Sequence, residues 1–135
     1  MATVLDFTDK TLRACAPGTL TFGMVVPWPG LARLGVRVLR TPIGKANWQV
    51  VDSKVLDNDP DTFDGMTVSF QAVKGMRYGL SFKGDLQLID VSASTLKLSF
   101  YLAGNGAVVS DFGGAQTLSE SMSSGLVGVV NVDAQ

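Results

Sequence analysis

Histidine is absent from this chain, which removes at once the commonest general base and the commonest metal ligand. Cysteine occurs once, at Cys15, so no internal disulfide can form, and a lone thiol without histidine does not make a zinc cluster. Cys15 reads instead as a small, partly buried apolar residue. Charged residues are only 17% of the total. No apolar run reaches the roughly 18 residues that a membrane-crossing helix needs, and the stretch Leu20 to Pro29 is broken by Pro27 and Pro29. No membrane partner is expected. The start, "MATVLDFTDK", has no positive cluster and meets an acid at Asp6, unlike a secretory leader, so synthesis and folding in a cytoplasm are expected. Phosphate-binding and nucleophile-elbow patterns are missing as well: no glycine-rich loop ends in Gly-Lys-Ser or Gly-Lys-Thr, and no Gly-x-Ser-x-Gly occurs. Together these absences point away from an enzyme.

What the chain does contain is apolar residues at 46% within 135 positions, enough for one domain with one core. The clearest pattern is alternation. Leu96, Leu98, Phe100 and Leu102 share one face of "STLKLSFYL", opposite Lys97 and Ser99. Met66, Val68, Phe70 and Ala72 do the same in "MTVSFQAV", and Leu86 and Leu88 begin "DLQLIDV". Successive side chains on a strand point to opposite faces, so these are half-buried strands. Turn formers fall between them: Asp64-Gly65, Gly75, Lys83-Gly84-Asp85, Gly104-Asn105-Gly106 and Gly113-Gly114. The pattern predicts strands near 3–8, 19–26, 35–41, 46–52, 66–74, 77–83, 85–91, 95–102, 106–112 and 126–132. The expected fold is an all-β, single-domain antiparallel β-sandwich or small β-barrel of about 8–10 strands, spanning residues 1–135.

Two segments read both ways. In "GLARLGVRVLR", Leu31, Leu34 and Val38 have helical spacing, but Gly35 and the β-branched Val36 and Val38 favour a strand preceded by a short turn. "QTLSESMSSG" reads as a loop or a single helical turn, too polar for the core.

Net charge is −1 but uneven. Residues 1–54 carry seven basic and three acidic groups (+4), residues 55–97 four and six (−2), and residues 98–135 none and three (−3). Arg33, Arg37, Arg40 and Lys45 form a basic group without an acid among them. Clustered arginine suits a protein interface, where its planar fork meets carboxylates, and the acidic overall balance argues against a nucleic-acid partner. At the other end, "SSGLVGVVNVDAQ" offers Leu126, Val129 and Val130 on an apolar strand that must be covered, by its own domain or by a neighbouring subunit.

"VLDNDPDTFDGM" is the one stretch with a metal-like rhythm. Asp57, Asp59 and Asp61 match the first, third and fifth positions of a helix–loop–helix calcium loop. The sixth position is Thr62 where glycine is needed, and the twelfth is Val68 where a glutamate belongs. A turn between strands is the favoured reading, with an irregular Ca2+ site of Asp57, Asp59, Asp61 and Asp64 as the other. No other cofactor is expected.

The start "MATVLDFTDKTLRACAPGTLTFGMVVP", the strands punctuated by turns and the end "GLVGVVNVDAQ" resemble the small β-rich structural proteins of tailed-phage virions, such as capsid decoration (cement) subunits or head–tail connector and tail subunits. That resemblance implies a virion protein without enzymatic activity. It further implies a homo-oligomer, with a trimer favoured, that binds a shell or other virion protein through symmetric protein–protein contacts. The rival reading is a ligand-binding β-sandwich, a carbohydrate module that stacks sugars on Trp28, Trp48 or Tyr78, with or without calcium.

Overall fold

Alternating side chains and short turn segments give a two-layer structure because a strand with one apolar face must bury it against another sheet. The computed structural model describes residues 3–25, 30–57, 66–88, 94–104, 107–118 and 122–135. These residues form ten strands and no helix: β1 (Thr3–Asp6), β2 (Asp9–Cys15), β3 (Gly18–Val25), β4 (Gly30–Pro42), β5 (Gln49–Asp57), β6 (Met66–Ala72), β7 (Met76–Leu88), β8 (Ser94–Gly104), β9 (Ala107–Leu118) and β10 (Met122–Ala134). One sheet runs β1-β10-β7-β4-β5, with β2 also on β10, and the other runs β6-β3-β8-β9. The first two strands follow one another along the same edge of β10, both parallel to it, and every other pairing is antiparallel. The chain is therefore an open, antiparallel-rich β-sandwich and not a closed barrel.

The core lies between the sheets. Leu34, Val36 and Val38 of β4, Tyr78, Leu80, Phe82 and Leu86 of β7, and Leu126, Val130 and Val132 of β10 turn inward from one side. Leu20, Phe22 and Met24 of β3, Val68 and Phe70 of β6, and Phe100 and Leu102 of β8 meet them from the other. Aromatic rings lock the two layers together. Phe82 stacks on Phe100 at 4.7 Å and tilts against Phe22 at 5.4 Å, while Phe70 meets Tyr78 at 5.2 Å. Such offset or tilted ring pairs add about 0.5–1.5 kcal/mol each beyond the area they bury. Tyr78 is wholly buried, and its hydroxyl accepts a hydrogen bond from the Val73 N–H at 2.7 Å.

Several turn assignments change. Lys83-Gly84-Asp85 is not a hairpin; β7 runs unbroken through it from Met76 to Leu88. Gly84 is there because the β4 backbone passes very close: a Cβ at this position would run into the Arg33 carbonyl. Gly113-Gly114 likewise lies inside β9, paired with Ser99 and Leu98 of β8. Of the segment 116–125, residues 116–118 end β9 and residues 122–125 begin β10, while 119–121, where the loop or helical turn was expected, lie outside the described residues. β2 has no counterpart in the alternation pattern, because all its side chains are exposed or half-exposed on a sheet edge. Gly104 and Ala107 do face each other across the β8–β9 hairpin, and Gly75 takes the left-handed φ of 87° that its turn requires. β4 is a strand, as Val36 and Val38 indicated, but it begins at Gly30, so the short turn expected before Gly35 is part of the strand.

Candidate interaction surface

In antiparallel neighbours, residues directly opposite share a face, so the register defines the outer surface of the β1-β10-β7-β4-β5 sheet row by row. Near one end, Arg33 of β4 sits between Asp57 of β5 and Asp85 of β7. Its guanidinium is 3.6 Å from the Asp57 carboxylate, and both side chains are largely exposed. An exposed pair of this kind stabilises by no more than about 1 kcal/mol, but it cancels much of the local positive charge. The next rows are Val127-Lys83-Gly35-Val55 and Val129-Ser81-Arg37-Ser53. After them comes Leu12-Asn131-Gly79-Leu39-Val50, and then Ala14-Asp133-Arg77-Thr41.

The Leu12–Val50 row is apolar at both ends, on a face where alternation would ordinarily set polar groups. Trp48 lies across it. A Cβ at Gly79 would stand 3.4 Å from the indole and 3.2 Å from Asn131 Oδ1, so the bare glycine backbone forms the floor under the ring. Trp48 is 44% exposed, Leu12 48%, Val50 50% and Val55 56%. Beside Trp48 is a shallow cavity of about 150 Å³ lined by Leu39, Gly79, Ser81, Val129 and Asn131. Ligand pockets start at roughly 300 Å³, so this one suits a single inserted side chain or sugar edge better than a buried small molecule.

One edge of this sheet is β5, with no strand beyond it among the described residues; β1 and β2 form the other. Eight of its nine residues are exposed and only Leu56 is buried, against Leu34. A register shift between Val38 and Leu39 of β4 marks a bulge on the Val50–Val51 side of β5. The Ser53 N–H donates to Asp52 Oδ1 at 2.8 Å, a local side-chain partner of the kind an edge amide takes when no strand claims it.

The basic group of β4 divides between faces. Arg33 and Arg37 are two turns of the pleat apart on the outer face. Arg40 stands opposite the buried Tyr78, continuing the inward series at the strand's end, and is half-buried. Strand periodicity, not helical periodicity, governs here, so the three arginines do not share one face. Lys45 is exposed in the connection after β4.

At the C-terminal strand, Leu126 and Val130 are fully buried in the core and are not offered to a partner. The strand is covered within its own sheet, by β7 on one side and by β1 and β2 on the other. Val129, one residue over, is the member that reaches the outer face. Asp57 is exposed beside Arg33, while Asp59, Asp61 and Asp64 lie outside the described residues, as does Trp28. Among the described residues no three carboxylate or thiol groups converge as a metal cluster would.

Elsewhere, Asp133 is buried opposite Arg77 and accepts two hydrogen bonds from its guanidinium, at 2.6 and 3.1 Å. The bond to Asp133 holds the Arg77 guanidinium even further above its ordinary range. Burial, and secondarily the Asp133 charge, pushes the Cys15 thiol up, which makes it a poor nucleophile. One Ser-x-x-Lys spacing exists, Ser94 to Lys97, but it lies within strand β8 and not on the helix face where such a pair works together. The sequence signal for this candidate surface was Trp48 followed by Val50 and Val51 outside any alternating run.

The fold and surface define an antiparallel-rich β-sandwich with an apolar row on one outer face and an exposed edge strand, β5. No protein-family model matches the chain, and neither a curated protein nor a solved structure matches it.

Proposed function

We propose that this chain is a non-enzymatic assembly subunit, of the capsid-decoration or head–tail kind found in phage virions, which works through protein–protein contacts with copies of itself and with a shell protein. The observation that carries the reading is the outer face of the β1-β10-β7-β4-β5 sheet, where Leu12, Leu39, Trp48, Val50 and Val129 occupy positions suited to polar groups. Exposed aromatic and aliphatic side chains gathered on one face mark contact sites, and tryptophan at their centre is the residue type that most often anchors them. Arg37 borders the apolar row and supplies the charged rim such contacts have. The virion setting comes from the sequence resemblance.

Light scattering over a micromolar concentration series tests the reading. The wild-type chain should be oligomeric, and Trp48→Glu or Arg37→Glu should shift the mass downward without lowering the melting temperature. A wild-type chain that remains monomeric throughout refutes it.

One observation favours a second reading, a carbohydrate-binding module: Trp48 beside a cavity that also presents Ser81 and Asn131. Tyr78, another expected stacking residue, is buried and unavailable. A glycan that raises the melting temperature, with the rise lost in Trp48→Ala, would favour this reading over assembly.

A further inference from the structure

We propose that β5 pairs with β5 of a second copy, antiparallel, about a two-fold axis at Ser53. This rests on the assembly reading and names one of its contacts. Among the described residues β5 is an unpaired end of its sheet, exposed along nearly its whole length, and an edge of this length is a template for another strand. The occupant follows from the order of its residues.

A two-fold axis perpendicular to the sheet keeps each face continuous, so a residue can stand opposite only one from the same face of its copy. Asp52 and Lys54 stand opposite Val38 and Val36 of β4, and therefore share a face. With the axis at Ser53, Asp52 of each copy meets Lys54 of the other, giving two ion pairs. On the opposite face, Ser53 meets Ser53, and Val55 meets Val51 at the bulge. Moving the axis one residue either way sets Asp52 against Asp52 or Lys54 against Lys54. Each of those neighbouring registers forces like charges together, so the Asp-Ser-Lys order selects one register and disfavours the adjacent ones.

Edge charges commonly serve to repel neighbours, and the bulge near Val51 limits how far the ladder can run. A purely protective edge gains most from charges of one sign. Here they are complementary in the one symmetric register, and both side chains are exposed. The Ser53 amide is held by Asp52 in the single copy. Pairing hands that N–H to the opposite Ser53 carbonyl and releases Asp52 to Lys54 of the second copy. Such a contact closes with two copies, so the three-fold expected from the phage resemblance would use a separate surface, the Trp48 face.

The test is a charge exchange in the full chain, read by analytical ultracentrifugation. Asp52→Lys alone and Lys54→Asp alone each place like charges opposite and should weaken the pair by about tenfold. Mixed together, the two variants should form a one-to-one heterodimer, and the double variant D52K/K54D should regain wild-type affinity. Ser53→Pro, at an exposed edge position, should abolish pairing while circular dichroism confirms the fold. If the wild type assembles but the charge variants and Ser53→Pro assemble equally well, the β5 contact is refuted and the assembly reading stands. A wild type that is monomeric at every concentration refutes both.

Discussion

Replacing Gly84 with alanine distinguishes a continuous β7 from the hairpin that Lys83-Gly84-Asp85 suggests in sequence. In a free turn at negative φ, alanine stabilises by about 0.4–1 kcal/mol, because it restricts the unfolded chain. In β7, the added methyl meets the Arg33 carbonyl and the Leu34 Cα, backbone atoms that cannot rotate aside. Parting β4 from β7 enough to admit it falls in the upper range for overpacking, about 2–3 kcal/mol. Subtracting the gain leaves a net loss of about 1–2.5 kcal/mol, which for a chain of this size lowers Tm by about 4–10 °C. Gly35 supplies the control: it is on β4, its nearest contact for a Cβ is the Lys83 carbonyl at an ordinary 3.5 Å, and neither glycine has positive φ. Gly35→Ala should therefore be neutral or raise Tm by up to about 4 °C. Thermal melts followed by calorimetry, with urea midpoints as a second measure, decide the matter. If Gly84→Ala melts at or above the wild type, the close approach of β4 and β7 is wrong, and with it the register that defines the outer face.

Two other outcomes follow from the same geometry. Phe82→Ala removes the ring that contacts both Phe22 and Phe100 across the sandwich, and should cost about 3–5 kcal/mol in urea unfolding, far more than any substitution on the outer face. Hydrogen bonds from the Thr8 hydroxyl and amide hold the Asp6 carboxyl below its ordinary range, and the Thr11 amide does the same for Asp9. Groups depressed in the folded state contribute stability that is complete above the unfolded carboxylate range and is lost as pH falls through their folded values. Asp6→Asn with Asp9→Asn should accordingly lower Tm at pH 7 and flatten its decline below about pH 4. A decline parallel to the wild type would show that these carboxylates are not coupled to folding.

Fold class was legible because burial on one face of a strand writes itself directly into the sequence at a period of two: Val68, Phe70, Leu86, Phe100 and Leu102 all took the core positions their alternation indicated. Exposed edge strands carry no such signature, which is why β2 left no trace and why β5 appeared too early and too short. Glycine was ambiguous for a related reason. The same residue serves a left-handed turn at Gly75 and a close backbone approach at Gly84, and local order does not separate the two uses. The absence of histidine and the single thiol, by contrast, are chemical facts that no fold can change.

By itself, then, the order of residues determined that the chain is a β-structure with one apolar core and few reactive side chains. Which side of β4 each arginine occupies, that Leu126 and Val130 are buried while Val129 is not, and that β5 is left as the open edge were decided only in three dimensions. Those outcomes depend on which strands become neighbours and in what register. Pairing brings together residues far apart in the chain through backbone groups that every residue carries, so no local pattern encodes it.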